Sequence, residues 1–287
     1  MSLYTTKRTS NILEGDFRSI HKGRSMEFED LKEYTPGDEV HDIDWKSSSR
    51  MDTVLVRRYM TDRRHNVMFV CDCGHKMMGD TPAGESKKEI ALMTFGILSY
   101  IVSRNGSDFA IAYPKKNTTF ISGFKAGTDH LERNLYEYEK VVCTDADRSL
   151  SQTLKDVINN VHKRMIIILI TDMEGLAVLE ENAIGSITRD HDLIVLGIED
   201  AMLTGNMAYD LEIGRYERVF FSRNKRLHEL EKKDRREQAE RVHKIYKQNR
   251  VSVVSLKNES EIIEKSIFLF ERYRHGDYGY ITTANGI

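Results

Sequence analysis

From residue 66 onward the chain alternates short apolar runs with longer amphipathic ones. NVMFVCD (66–72) is continuous and apolar. ESKKEIALMTFGILSYIVSRNG (85–106) has the length of a helix and closes on Asn105-Gly106, and SDFAIAYP (107–114) reads as a second strand with TTFIS (118–122) as its hairpin partner. Helices are predicted over 128–141 and 149–162, then the strand RMIIILITD (164–172), a helix over about 175–190, and the strand DLIVLGIED (192–200). The remainder holds RYERVFF (215–221), a charged helix over 223–249, the strand RVSVVSL (250–256) and a closing helix ESEIIEKSIFLFERY (259–273). The runs at 166–171 and 193–198 lack the alternation of a one-sided sheet, so both faces must be covered. The pattern predicts a doubly wound, mostly parallel α/β sheet with helices on both faces, in which 66–72, 164–172 and 192–198 are adjacent interior strands.

Residues 1–65 break this rhythm, being polar and turn-rich, with a tight turn at Pro36-Gly37-Asp38. They read as an N-terminal arm of extended segments packed on a main domain of 66–287.

Composition narrows the function. The chain has 287 residues, 40% hydrophobic and 31% charged, with a formal net charge of −2, so no global field draws it to nucleic acid or an anionic membrane. No run is long and apolar enough for a spanning helix or a signal-peptide core, so no membrane insertion is expected, and the three cysteines (Cys71, Cys73, Cys143) read as reduced thiols of a cytoplasmic protein. The segment 223–250 holds 11 Lys/Arg against 5 Asp/Glu. It reads as a solvated, salt-bridged face, with docking of an acidic partner as the alternative. Nucleic-acid binding there lacks interleaved aromatic residues before Tyr246. No phosphate loop, dinucleotide fingerprint or nucleophile–base pair appears, so no enzyme is expected.

One stretch is more specific. GRSMEFEDLKEYTPGDEVHDIDWKSSSRMDTVLVRRY (23–59) carries Gly23, Arg24, Glu27, Phe28, Leu31, Tyr34, Gly37, Asp38, Ile43, Asp44, Trp45, Ser48 and Arg50 at fixed spacing. In this it resembles the signature of the bacterial domain of unknown function 58 family, departing at Ser25, Lys32, His41 and Ser49. The resemblance implies a von Willebrand factor A-like fold and a non-enzymatic adaptor working with a MoxR-type AAA+ ATPase, or its client protein, in protein assembly or maturation. Read physically, so many charges near Trp45, Phe28 and Tyr34 form a carboxylate–guanidinium network. Arg24, Asp38, Asp44, Trp45 and Arg50 are expected in one cluster that joins the arm to the main domain, or else presents a recognition surface.

The same resemblance gives meaning to DCGHKM (72–77). Von Willebrand A-type domains hold Mg²⁺ or Mn²⁺ with an Asp-x-Ser-x-Ser loop, a later threonine and a later aspartate, an all-oxygen set suited to hard cations. Here Asp72 and Asp172 match the two aspartates, Gly74 and Lys76 stand at the two serines, and the threonine's place falls near Arg148, with Asp147 also arguable. The leading expectation is a degenerate site with no cofactor, its ion replaced by the Lys76 ammonium. Plain strand-end residues and a weak surviving Mg²⁺ or Mn²⁺ site are the alternatives. The last would make the chain a metal-dependent ligand-binding domain or hydrolase using Asp72 and Asp172.

Overall fold

Successive residues of each central strand face opposite layers of helices, and this decides where every loop emerges. In the computed structural model, which describes residues 28–38, 40–51, 53–59, 66–204, 208–210, 215–217 and 224–281, strand β3 (Asn66–Cys71) sends Val67, Phe69 and Cys71 into one core and Met68 and Val70 into the other. Strands β6 (Ile166–Asp172) and β7 (Asp192–Ile198) divide their side chains in the same way. The first core is roofed by helices α2 (Lys87–Arg104), α3 (Thr128–Val141) and α8 (Ile262–His275). The second lies under α4 (Leu150–Asn160), α5 (Met173–Val178), α6 (Glu181–Asp190) and α7 (Lys225–Gln248). Burial on both faces is why these strands read as unbroken apolar runs.

The seven-stranded sheet has the order β11-β10-β7-β6-β3-β4-β5, with β4 at Asp108–Lys115, β5 at Thr118–Ile121, β10 at Ser252–Leu256 and β11 at Gly279–Ile281. All neighbours are parallel except β5, which returns antiparallel along β4. The predicted trio of adjacent interior strands is therefore β3, β6 and β7. The chain passes from β3 to β4 on one side and later places β6 on the other, so the winding reverses between β3 and β6. Ligands of open α/β sheets meet the carboxyl ends of strands at such a switch point.

Three differences from the sequence reading have local causes. The helix expected over 175–190 is two helices, because Leu179 (φ −67°, ψ 117°) and Glu180 (φ −69°, ψ 141°) are extended and Leu179 turns into the core. The short strand β11 was not anticipated. It docks beside β10 through Arg272, whose Nη1 donates to the carbonyls of Val253 (3.3 Å) and Gly279 (3.2 Å). The arm is not purely extended: β1 (Phe28–Glu33) and β2 (Leu55–Tyr59) form a separate antiparallel pair, and helix α1 (Trp45–Met51) lies between them. A further antiparallel pair joins β8 (Ala208–Asp210) and β9 (Arg215–Glu217). Among the described residues no helix is long and apolar enough to cross a membrane.

Candidate functional site

The switch point carries a buried ionic chain. Asp72 follows β3 and keeps its ladder bond, donating its N–H to the Ile170 carbonyl at 2.9 Å. Gly74 then takes φ +129°, a conformation L side chains rarely adopt, and donates its N–H to Val142 O at 3.0 Å. A single 3₁₀ turn (His75–Met78), anchored by the fully buried Met77, folds Lys76 back over the strand end. Its Nζ lies 2.7 Å from Asp72 Oδ2 and 3.2 Å from Asp172 Oδ1. Asp172 ends β6 and caps α5, its Oδ1 accepting the Gly175 N–H at 2.9 Å. Its other oxygen accepts from Lys87 Nζ at 3.0 Å, and Lys87 also bonds Asp200 beyond the end of β7. The chain thus runs Asp72–Lys76–Asp172–Lys87–Asp200.

Neighbours hold this chain in place. Thr171 Oγ1 donates to Asp72 Oδ2, and the Cys73 N–H donates to Asp72 Oδ1 at 2.9 Å. Gly175 leaves the necessary room, since a Cβ there would sit 2.0 Å from Thr171 Oγ1 and 2.6 Å from Asp72 Oδ2. On the far side Arg235 of α7 donates to the Asp200 and Ala201 carbonyls, both at 2.6 Å, and pairs with Glu231 at 3.0 Å. Glu231 in turn accepts the N–H groups of Leu203 and Thr204. The long charged helix therefore fastens the loop that supplies Asp200.

The electrostatics follow from burial and partners. Burial pushes the Asp72 carboxyl up against the pull of Lys76. For Asp172 burial acts upward too, yet Lys76, Lys87 and the Gly175 N–H outweigh it and hold the group below its ordinary range. Burial depresses both lysines, but their paired carboxylates raise them more, so both remain ammoniums. Three carboxylates face two ammoniums, and the surplus lies nearest solvent at Asp200, whose side chain is 30% exposed. Burial, reinforced by Asp72, pushes the Cys71 and Cys73 thiols well up, so neither is a nucleophilic thiolate.

As a place for Mg²⁺ or Mn²⁺ the residues do not fit. Asp72 and Asp172 are the carboxylates on Lys76 Nζ, and Thr171 Oγ1 is spent on Asp72 Oδ2, whereas hard cations take about six oxygens, and the ammonium bonded to both carboxylates opposes a second positive charge. Two expectations need correction. Arg148 is not at this site: its guanidinium bonds Asp156 at 2.9 and 2.5 Å near the edge strand, because α4 draws it toward Thr119 and Asp156. The other cation on Asp172 is Lys87, which the sequence reading did not place there. Gly74, read as a lost hydroxyl ligand, is also a turn residue whose missing Cβ would lie 3.1 Å from Asp145 Oδ1. Sequence reasoning missed Lys87, Thr171 and Asp200. Lys87 was detectable, since it falls on the buried stripe of α2 with Ile90, Ala91, Thr94 and Leu98.

Among the described residues, Asp38, Asp44, Trp45 and Arg50 do not form one cluster. Arg24 and Glu27 lie outside the described residues, as does the side chain of Phe28. Asp38 pairs with Lys32 at 2.6 Å and accepts from Thr35 at the Gly37 turn (φ +114°); the Lys32 bond and the Thr35 bonds lower its pKa to about 2. Asp44 caps α1 by accepting the Ser47 N–H at 3.0 Å and pairs with Arg57 at 3.1 Å. Trp45 is 66% exposed, Tyr34 is 37% exposed, and Arg50 is exposed. These polar contacts stay within the arm, because each aspartate satisfies the turn or helix end beside it. With Trp45 facing solvent there is no low-dielectric centre to draw the charges together.

Comparison with known proteins now bears on this geometry. Residues 30–238 match the family described as "Protein of unknown function DUF58". The chain belongs to the DUF58 family. No curated protein matches it significantly. Similar solved structures include a von Willebrand factor type A protein from Catenulispora acidiphila, with 13% identity, a TM-score of 0.44, and coverage of 77% of this chain but 45% of that one. The conserved hypothetical protein BatB from Bacteroides thetaiotaomicron is 12% identical with a TM-score of 0.45, over 74% of this chain and 99% of that one. The SpRpn10 VWA domain is 10% identical with a TM-score of 0.36, over 48% and 77%. This DUF58 chain thus spans less than half of the first of these proteins. Its own strand order makes it a doubly wound, mostly parallel α/β sheet.

Proposed function

We propose that the chain is a non-enzymatic protein-interaction adaptor whose degenerate cation site is filled by its own lysines, and that its partner is a MoxR-type AAA+ ATPase or that ATPase's client. The observation that carries the reading is Lys76 Nζ seated between Asp72 and Asp172, at 2.7 and 3.2 Å, at the switch point of the sheet. A fixed ammonium supplies positive charge there without a diffusible ion, so recognition becomes independent of divalent metal. Family membership and the fold support an interaction role.

The test is thermal denaturation of the full chain with millimolar Mg²⁺ or Mn²⁺ and with chelator, beside capture of a purified MoxR-type ATPase under both conditions. Unchanged melting and unchanged capture are expected. A ligand at 100 times its Kd stabilises by about 2.7 kcal/mol, so clear metal stabilisation would be visible; it would overturn lysine replacement and favour a metal-dependent ligand-binding domain or hydrolase using Asp72 and Asp172. The gain-of-function control is Lys76→Ser with Lys87→Met, keeping Gly74 for its backbone. Freed of both ammoniums, this variant should acquire metal-dependent stabilisation.

A further inference from the structure

At the opposite end of the sheet, the amino ends of β6 and β7 open into a polar cleft of about 490 Å³. Helices α6 and α7 both finish on it. Arg189 and His191 come from the end of α6, Asn249 and Arg250 from the end of α7, and Arg164 and Asp192 from the entries to β6 and β7. Gly185, midway along α6, permits the close approach of the α7 end, since a Cβ there would meet Asn249 Oδ1 at 3.2 Å.

The charges do not cancel. Arg164 lies 3.3 Å from Asp192 Oδ2 and keeps 62% of its side chain exposed, while Arg189 and Arg250 are exposed and have no ion-pair partner among the described residues. Two helix carboxyl ends contribute roughly half a negative charge each. Among the groups that line the cleft, Asp192 and the two helix ends offset about two of the three guanidiniums and leave about one positive charge, while Asp190, one residue before His191 and outside the lining, is a further carboxylate within Coulombic reach. Complementing the helix dipoles explains some of the arginines and not all of them.

Two further observations point to a ligand. His191 lines the cleft and is only 6% exposed, yet its Nδ1 is buried with no hydrogen-bond partner, an uncommon state for a buried ring nitrogen. Arg250 takes φ +58°, the left-handed position after a helix where glycine or asparagine is usual. An arginine there is placed for its side chain rather than for the turn.

We propose that this cleft binds a small, multiply charged anion bearing phosphate groups, gripped by the guanidiniums of Arg164, Arg189 and Arg250 and by the ring of His191. Guanidinium forks match phosphate oxygens in pairs, and the volume is that of a small-molecule site. The site is separate from the lysine-filled switch point and does not depend on the adaptor reading.

The experiment is calorimetric titration and thermal denaturation of the full chain with sodium pyrophosphate and with tripolyphosphate, against sodium chloride of matched ionic strength. Stabilisation by about 5 °C or more at 100 times the measured Kd is expected, beyond any chloride effect. Arg189→Gln with Arg250→Gln, both exposed and so compatible with folding, should weaken binding at least about tenfold, as loss of charge-assisted phosphate bonds requires. Lys232→Gln with Lys233→Gln, on the exposed middle of α7, should leave it within about twofold if the cleft and not the general basic face is the site. Pyrophosphate acting no better than chloride, undiminished binding by the arginine variant, or equal loss in the lysine variant would each overturn the proposal.

Discussion

Lys76→Met is the perturbation that most directly examines the ionic chain. Methionine keeps an unbranched apolar stem of similar reach but removes the ammonium that lies within 3.2 Å of two carboxylates that are 3% and 0% exposed. Breaking a buried pair by removing one partner costs roughly 3–5 kcal/mol, because the other charge is left uncompensated. At about 2–3 °C per kcal/mol for a chain of this size, the melting temperature should fall by about 6–15 °C at pH 7.5. The pH dependence carries a definite sign. Without Lys76, Asp72 and Asp172 repel, and one carboxyl acquires a folded pKa well above its unfolded value. The penalty is then full above that folded pKa, shrinks as pH falls through it, and is gone below the unfolded pKa of about 3.9. In the parent, Asp172 is held low, so its stabilisation is present above the ordinary carboxyl pKa and is lost as pH falls through the depressed value. The two melting curves should therefore draw together as pH falls from 8 through the variant's raised carboxyl pKa towards the unfolded value of about 3.9. Differential scanning calorimetry across that range measures this directly. A variant melting within about 1 °C of the parent at pH 7.5, or a deficit that grows on acidification, would refute the assignment of Lys76 to the buried pair.

Gly175→Ala should be costly despite its small size, since the added Cβ would lie 2.0 Å from Thr171 Oγ1 and 2.6 Å from Asp72 Oδ2; overpacking of this kind costs about 1–3 kcal/mol, seen as a lower urea midpoint with unchanged slope. Asp44→Ala should lower the melting temperature by no more than about 3 °C, because its carboxylate caps α1 and meets an Arg57 side chain that is 48% exposed; a drop above about 8 °C would restore a buried network around the signature.

The layout of the main sheet was legible because hydrophobic burial is a local property of the chain. A strand covered on both faces is apolar at nearly every position, as in 67–71 and 166–170, and a covering helix is apolar at helical spacing, so the trio β3, β6 and β7 is legible in the sequence alone. The positions of Asp72 and Asp172 followed for the same reason, since each ends such a strand. The pairing of charges was not legible. Lys87 is 15 residues beyond Asp72 in the chain, yet it joins Asp172 to Asp200, and Arg148 turns instead to Asp156, because partner choice among charges depends on which loops the sheet order brings together. The arm shows the converse. Asp38 and Asp44 each satisfy a turn or a helix end a few residues away, and sequence spacing alone could not tell a local cap from a long-range bridge, since the same carboxylate serves either once the fold decides what lies within 3 Å of it.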